Sequence, residues 1–367
     1  MAVNLKSAKI DIYIYSNVSD RGDAKYTINK KKLDDESIIN FEISELIKDY
    51  VDVTFDGIHS SSTNSMFVDV EVTRTFVDTD TSQEASDTTG DLLQRFIAFR
   101  GYGEIADGIN PELSKDILIT NRNIFVKEGE TANIPVFAEE TSEIEYFSDE
   151  TITQEFYYKG DVDKISIDKT DIKIDKVEDP YNIDLTHIKG EDISGASSDF
   201  AVSDETTKIR ITKRDGTTED INVFKIEECK HTPYRVTFVN KFGALQDLWF
   251  FKKRTDDFNV SKESFKRSIV SIGETATAYN KNKHTTKFLD MVATESFKLN
   301  TGFVTEDHNE VIKQLLATEY CWIMQSGEAV PIHPKSSSFT EKTSVNDKLM
   351  NFEVSFETSS NYIQGIR

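Results

Sequence analysis

The sequence is short of cysteine and of positive charge, and it lacks any long apolar run. The two cysteines, Cys229 and Cys321, form no CxxC pair and have no neighbouring pair of histidines, which argues against a disulfide framework and against a zinc site. No window approaches the roughly 18 apolar residues of a membrane span, and the opening MAVNLKSAKIDIY lacks the apolar core of a secretory signal. Forty-three Lys and Arg face sixty-five Asp and Glu, a formal charge of −22. That balance disfavours nucleic acid, whose binding rests on basic side chains neutralising phosphates. The expected partners are therefore proteins, with neither nucleic acid nor membrane among them.

Motifs that carry chemistry are also missing. There is no GxSxG and no HExxH, and the histidines His59, His187, His231, His284, His308 and His333 are scattered. Gly101 and Gly103 in RGYGEI match two positions of GxGxxG without the third glycine or a following helix. Asp161, Asp163, Asp168, Asp171 and Asp175 miss the spacing of an EF-hand loop and read as solvated turns and strand edges. No catalytic, cofactor-binding or metal-ligating residue is assigned, and the chain is not expected to be an enzyme. A glycosidase needs only two facing carboxylates, so that class stays as the least favoured alternative.

What is abundant is strand pattern. Few prolines and many Ser, Thr, Asp and Asn favour short strands punctuated by turns. Ile10, Ile12 and Ile14 alternate with polar and aromatic residues, and MFVDVEVTRTF at 66–76 alternates again. Between them SIINFEISELIKDYVDVTF predicts a strand to Ile43, a short helix capped by Ser44 and a further strand. Residues 77–91, VDTDTSQEASDTTGD, are too polar to bury much surface and read as a long surface loop, or an arm that orders only against a neighbour. DILIT, NIFV, the stretch around TANIPVF, and KISIDKTDIKID add further strand-like runs. Asp215-Gly216 between KIRITK and EDINVFKI predicts a hairpin.

The chain is organised around YRVTFVNKFGALQDLWFF, 234–251, a hairpin turning at Asn240–Gly243. After it, FKKRTDDFNVSKESFKRSIV reads only as a charged segment, while ATAYNKNKHTTKFLDM is strand-like. TEDHNEVIKQLLATE carries Val311, Ile312, Leu315 and Leu316 on one helical stripe, with acids in its first turn. EYCWIMQSGEAVPIHP predicts a hairpin turning at Gly327, and LMNFEVSFETS a closing strand. The expected fold is mainly β: modular antiparallel sheets or sandwiches, with an α+β C-terminal unit carrying one main helix. The expected domains are an N-terminal β domain at 1–130, a middle β domain at 131–232 and the α+β domain at 233–367. Phe242, Trp249, Phe250, Phe251 and Trp322 are the candidates for core or subunit contact, because large rings dominate the energetics of both.

The order HTPYRVTFVNKFGALQDLWFF, KLNTGFVTEDHNEVIKQLLATEYCWIM and AVPIHPKSSSFTEKTSVNDKLMNFEVSFE resembles uncharacterised virion structural proteins of tailed phages, notably those of Bacteroidetes and marine hosts. The resemblance covers the last third to half of the chain. It implies a tail, baseplate or neck component located in the virion and assembled in the host cytoplasm, in a homo-oligomeric ring beside other virion proteins, with no cofactor. The alternative is a carbohydrate-binding or adhesin-like β protein that contacts the host surface.

Overall fold

A computed structural model describes residues 3–16, 20–33, 38–59, 65–78, 81–87, 93–106, 108, 117–136, 141–147, 151–158, 161–168, 207–213, 215–268, 270–272, 277–279, 282–336, 340 and 350–360. The fold is mainly β, with several antiparallel sheets and two helices among the described residues. The chain divides into two compact units, Met1–Glu227 with Thr237–Leu248, and Glu228–Val236 with Trp249–Arg367.

In the first unit, β1 (Val3–Tyr15) lies between β2 (Tyr26–Lys31) and β3 (Ser65–Asp78). β3 in turn pairs antiparallel with β4 (Glu84–Asp87) along one stretch and with β5 (Leu93–Phe99) along another. The alternation in β1 does what it predicts. Ile10, Ile12 and Ile14 are buried with Val68 and Val70 of β3, and Phe41, Ile43, Leu46, Ile47 and Tyr50, in and around α1 (Ser44–Lys48), pack on that cluster.

Three expectations for the region of this first sheet need correction. Ser44 is the first helical residue rather than the cap: Ile43 holds the cap position without a side-chain bond, and the Ser44 hydroxyl donates to Glu42 instead. No strand ends at Ile43, and Val51, Val53 and Phe55 are buried in alternation without a strand partner. Their period of two recorded which face is covered, not whether a ladder forms. The polar stretch 77–91 is no plain loop either. The backbone turns back at Ser82, with φ of 56°, and β4 then pairs from Val77↔Glu84 to Arg74↔Asp87. An edge strand can be wholly polar, because its ladder bonds need no apolar face.

The second sheet of this unit contains β6 (Asn123–Lys127), β7 (Thr141–Phe147), β8 (Thr151–Tyr158), β9 (Asp161–Asp168), β10 (Lys208–Lys213) and β11 (Thr218–Ile226), in the order β6-β11-β10-β7-β8-β9. β10 and β11 form the hairpin expected at Asp215-Gly216, with Gly216 at φ of 82°. The expected division near residue 130 falls inside this sheet, since β6 pairs in parallel with β11. DILIT is buried at Ile117, Leu118 and Ile119 but forms no strand. Asp171 and Asp175 lie outside the described residues.

The organising hairpin is β12 (Tyr234–Val239) and β13 (Leu245–Phe250), with Gly243 at φ of 79° in its turn. It opens a seven-stranded sheet that continues with β14 (Thr255–Lys266), β17 (Thr286–Val304), β18 (Cys321–Gln325), β19 (Glu328–Pro334) and β20 (Met350–Thr358), in the order β13-β12-β18-β19-β20-β17-β14. β15 (Val270–Ile272) and β16 (Thr277–Tyr279) form a separate small hairpin between β14 and β17 in the chain. In the second unit, α2 (His308–Ala317) buries Val311, Ile312 and Leu315 as its stripe predicts, with Leu316 half-buried. Ser326 and Gly327, both at positive φ, make the two-residue turn of β18 and β19. The charged segment after Phe251 is a twelve-residue strand, β14.

Candidate interaction surface

All five aromatic candidates are buried within the chain: Phe242, Trp249, Phe250, Phe251 and Trp322. Phe242 clusters with Leu118 and Ala244 in the first unit. In the second unit Phe250 meets Phe356 edge-on at 5.9 Å, Phe356 stacks on Phe297 at 5.7 Å, and Trp249 stacks on Phe251 at 6.3 Å. Trp322 stacks on Tyr320 at 6.2 Å. These are the separations at which ring pairs attract. Their visible role is to pack the core.

Polar residues that sequence reasoning passed over hold the hairpin tip inside the first unit. Asn240, buried, donates from Nδ2 to the Leu118 carbonyl at 2.6 Å and to Gln246 Oε1 at 3.0 Å, while its Oδ1 accepts from the Phe242 and Ala244 amides. Gln246 Nε2 donates to Asn121 Oδ1 at 3.1 Å. Asp247 accepts from Thr237 Oγ1 at 2.6 Å, from Asn133 Nδ2 at 2.8 Å and from His59 Nε2 at 3.0 Å. Buried polar groups must be paired in this way, because an unpaired one costs its full desolvation.

The His59–Asp247 pair has the make-up of a general base with its orienting carboxylate. Yet the two side chains are only 4% and 7% exposed, and Asp247 is already engaged by three donors. The pair is a strut closed to substrate. Among the described residues no group of three or more His, Cys, Asp or Glu is placed to hold a metal ion. Cys321 is buried, and burial pushes its thiol above the usual range, while Cys229 is exposed. No described helix is long and apolar enough to cross a membrane.

The surface that stands out is the ribbon of β14 and β17. β17 pairs with β20 only from Ser296 onward, whereas its residues 286–295 pair with β14 alone among the described residues. Side chains at opposed positions of antiparallel strands share a face. The register therefore puts Phe258, Val260 and Lys262 on one face with Ala293, Met291 and, across from Ser264, Phe288. The Lys262 ammonium sits 5.0 Å over the Phe288 ring, as this register requires. Nearer the body of the sheet the same face of β17 is core, with Ala293, Phe297 and Leu299 buried. Further out it is open: Phe258 is 53%, Val260 40%, Phe288 54% and Met291 37% exposed. Leu289, the extra residue of a bulge between Glu263 and Ser264, adds to the exposed apolar surface. Contiguous exposed apolar surface of this kind marks interaction sites.

A scan against protein-family models finds no match for the chain, and a search of curated proteins finds no relative.

Proposed function

We propose that this chain is a structural virion protein of a tailed phage, a tail, baseplate or neck ring subunit that acts by assembly and not by turnover. The observation that supports it is the exposed apolar ribbon of β14 and β17, surface that an assembly would cover. The C-terminal order of hairpin, helix and closing strand that resembles such proteins points the same way, and no cofactor enters this reading. The acidic chain, at −22, makes copies repel one another, so their contacts need apolar and hydrogen-bonded surface, with screening by salt easing the approach.

The second reading, a carbohydrate-binding or adhesin-like protein, draws on the same exposed Phe258 and Phe288, since sugars stack on open aromatic rings. Sedimentation of the purified protein across concentration and salt, alone and with the tail proteins of the same virion, separates the two. The assembly reading expects species larger than the monomer in at least one of these mixtures. A protein that stays monomeric throughout and binds or degrades a host glycan would overturn it.

A further inference from the structure

We propose that the β14–β17 ribbon is an arm that docks on the acidic surface of a second copy of this chain; the proposal rests on the assembly reading above and names its partner. Its first support is the open stripe of Phe258, Val260, Met291 and Phe288, which continues a face that is core elsewhere in β17. A core-like face left open is a surface that a partner completes.

The second support is charge. Residues 258–291 hold six Lys and Arg against three Asp and Glu, while the rest of the chain holds thirty-seven against sixty-two. The apolar stripe is thus carried on a locally basic segment of a strongly acidic protein. Copies that repel through most of their surface attract where this segment of one meets the body of the next, and complementary charge of this kind sets which surfaces meet. The same balance disfavours nucleic acid, from which the acidic body would be repelled.

The third support concerns how the ribbon docks. β14 is the last strand of its sheet, so its outer edge has no ladder partner among the described residues. That edge strand carries Lys262 and Lys266, and its partner strand bulges at Leu289. Lysines and bulges are features that discourage edge-to-edge pairing. The contact is therefore made by the apolar face and the lysines, arm on body. Such a contact is heterologous: each copy uses one surface to give and another to receive, which yields rings or open chains.

Sedimentation velocity on the full chain tests this with two variants, Phe258→Ser/Phe288→Ser and Lys262→Glu/Lys266→Glu/Lys287→Glu. The substituted residues are exposed, so thermal unfolding should match the wild type and show that the fold is kept. Self-association should weaken about tenfold or more in each, as for truncated hot-spot residues. The double variant keeps its acidic body, so it should still join wild-type assemblies when mixed with them and limit their growth. If it is excluded instead, the arm-on-body contact is wrong. Wild-type association unchanged by either set of substitutions would also overturn the proposal and leave the assembly reading standing. A wild type that is monomeric alone, but joins a different tail protein through the ribbon, would replace the second copy by that protein. Binding of the ribbon to anionic lipid vesicles without self-association would likewise overturn it. A wild type that associates with nothing removes both readings.

Discussion

A Gly101→Ala variant should unfold at a clearly lower temperature than the wild type, with the hairpin tip losing its hydrogen-exchange protection first. A methyl group at Gly101 would meet the Lys241 carbonyl oxygen well inside contact distance, with the Gly243 amide nitrogen and the Phe242 carbonyl carbon each 3.1 Å away. All three are backbone atoms, so no side-chain rotation relieves the clash. The close approach is also used, because the Tyr102 amide donates to that same Lys241 oxygen at 2.9 Å. Moving the tip away would therefore break this bond and strain the buried amides of Asn240, Gln246 and Asn121. Overpacking of this kind costs about 1–3 kcal/mol, occasionally more. Gly22→Ala is the control. Unlike Gly101 it has a positive φ, 61°, and nothing lies within 4 Å of its added methyl group. It should show the backbone cost alone, about 1–2 kcal/mol. A Gly101→Ala variant that unfolds like the wild type would mean that the tip is not held by the approach at Gly101.

Asp69→Ala should be at least as damaging, by about 3–5 kcal/mol, the usual cost of breaking a buried ion pair by removing one partner. The Asp69 side chain is fully buried; Arg95 reaches it with two nitrogens, Nε at 2.7 Å and Nη2 at 3.0 Å, and Arg21 Nε lies at 3.2 Å. Without the carboxylate, the Arg95 guanidinium is left in a half-buried site with its bidentate acceptor gone. Burial pushes the Asp69 carboxyl up, but the hydrogen bonds from Arg95, with the charges of Arg95 and Arg21, outweigh it and hold the group below its ordinary value. Tyr15, pushed up to about 12 by burial and then by the neighbouring Asp69 carboxylate, stays neutral. A depressed carboxyl stabilises the fold above its unfolded value of about 3.9 and loses that contribution as pH falls through the folded value. Unfolding free energies of wild type and variant, measured by denaturant titration from pH 7 down to pH 3, should therefore converge in part at the acid end. A difference that is constant over that range would show that Asp69 acts by packing and not by charge.

Much of the architecture was legible because its causes are local. Alternation of Ile10, Ile12 and Ile14 marks a face whatever the partner strand, and Gly216, Gly243 and Gly327 mark turns because each takes a positive φ that other residues resist. The stripe of Val311, Ile312 and Leu315 places one side of α2 in the core for the same reason. The aromatic residues of the organising hairpin were legible as important surface, though only the packed chain shows them closed inside it.

What the tertiary structure alone decided are the features built from residues far apart. His59 and Asp247 are 188 residues apart, Asn240 and Leu118 are 122 apart, and no window of sequence contains either pair. The polar side chains of the hairpin tip look like turn residues until their buried partners arrive. β14 and β4 were hidden for a second reason. No described side chain of either is buried: β4 is almost wholly polar, and the alternation in β14 is confined to Phe258 and Val260 within a charged segment, so they exist as strands because a neighbour offers its backbone hydrogen bonds. The exposed stripe on the ribbon follows from that pairing, since only the register of β14 on β17 brings Phe258, Val260, Met291 and Phe288 to one face.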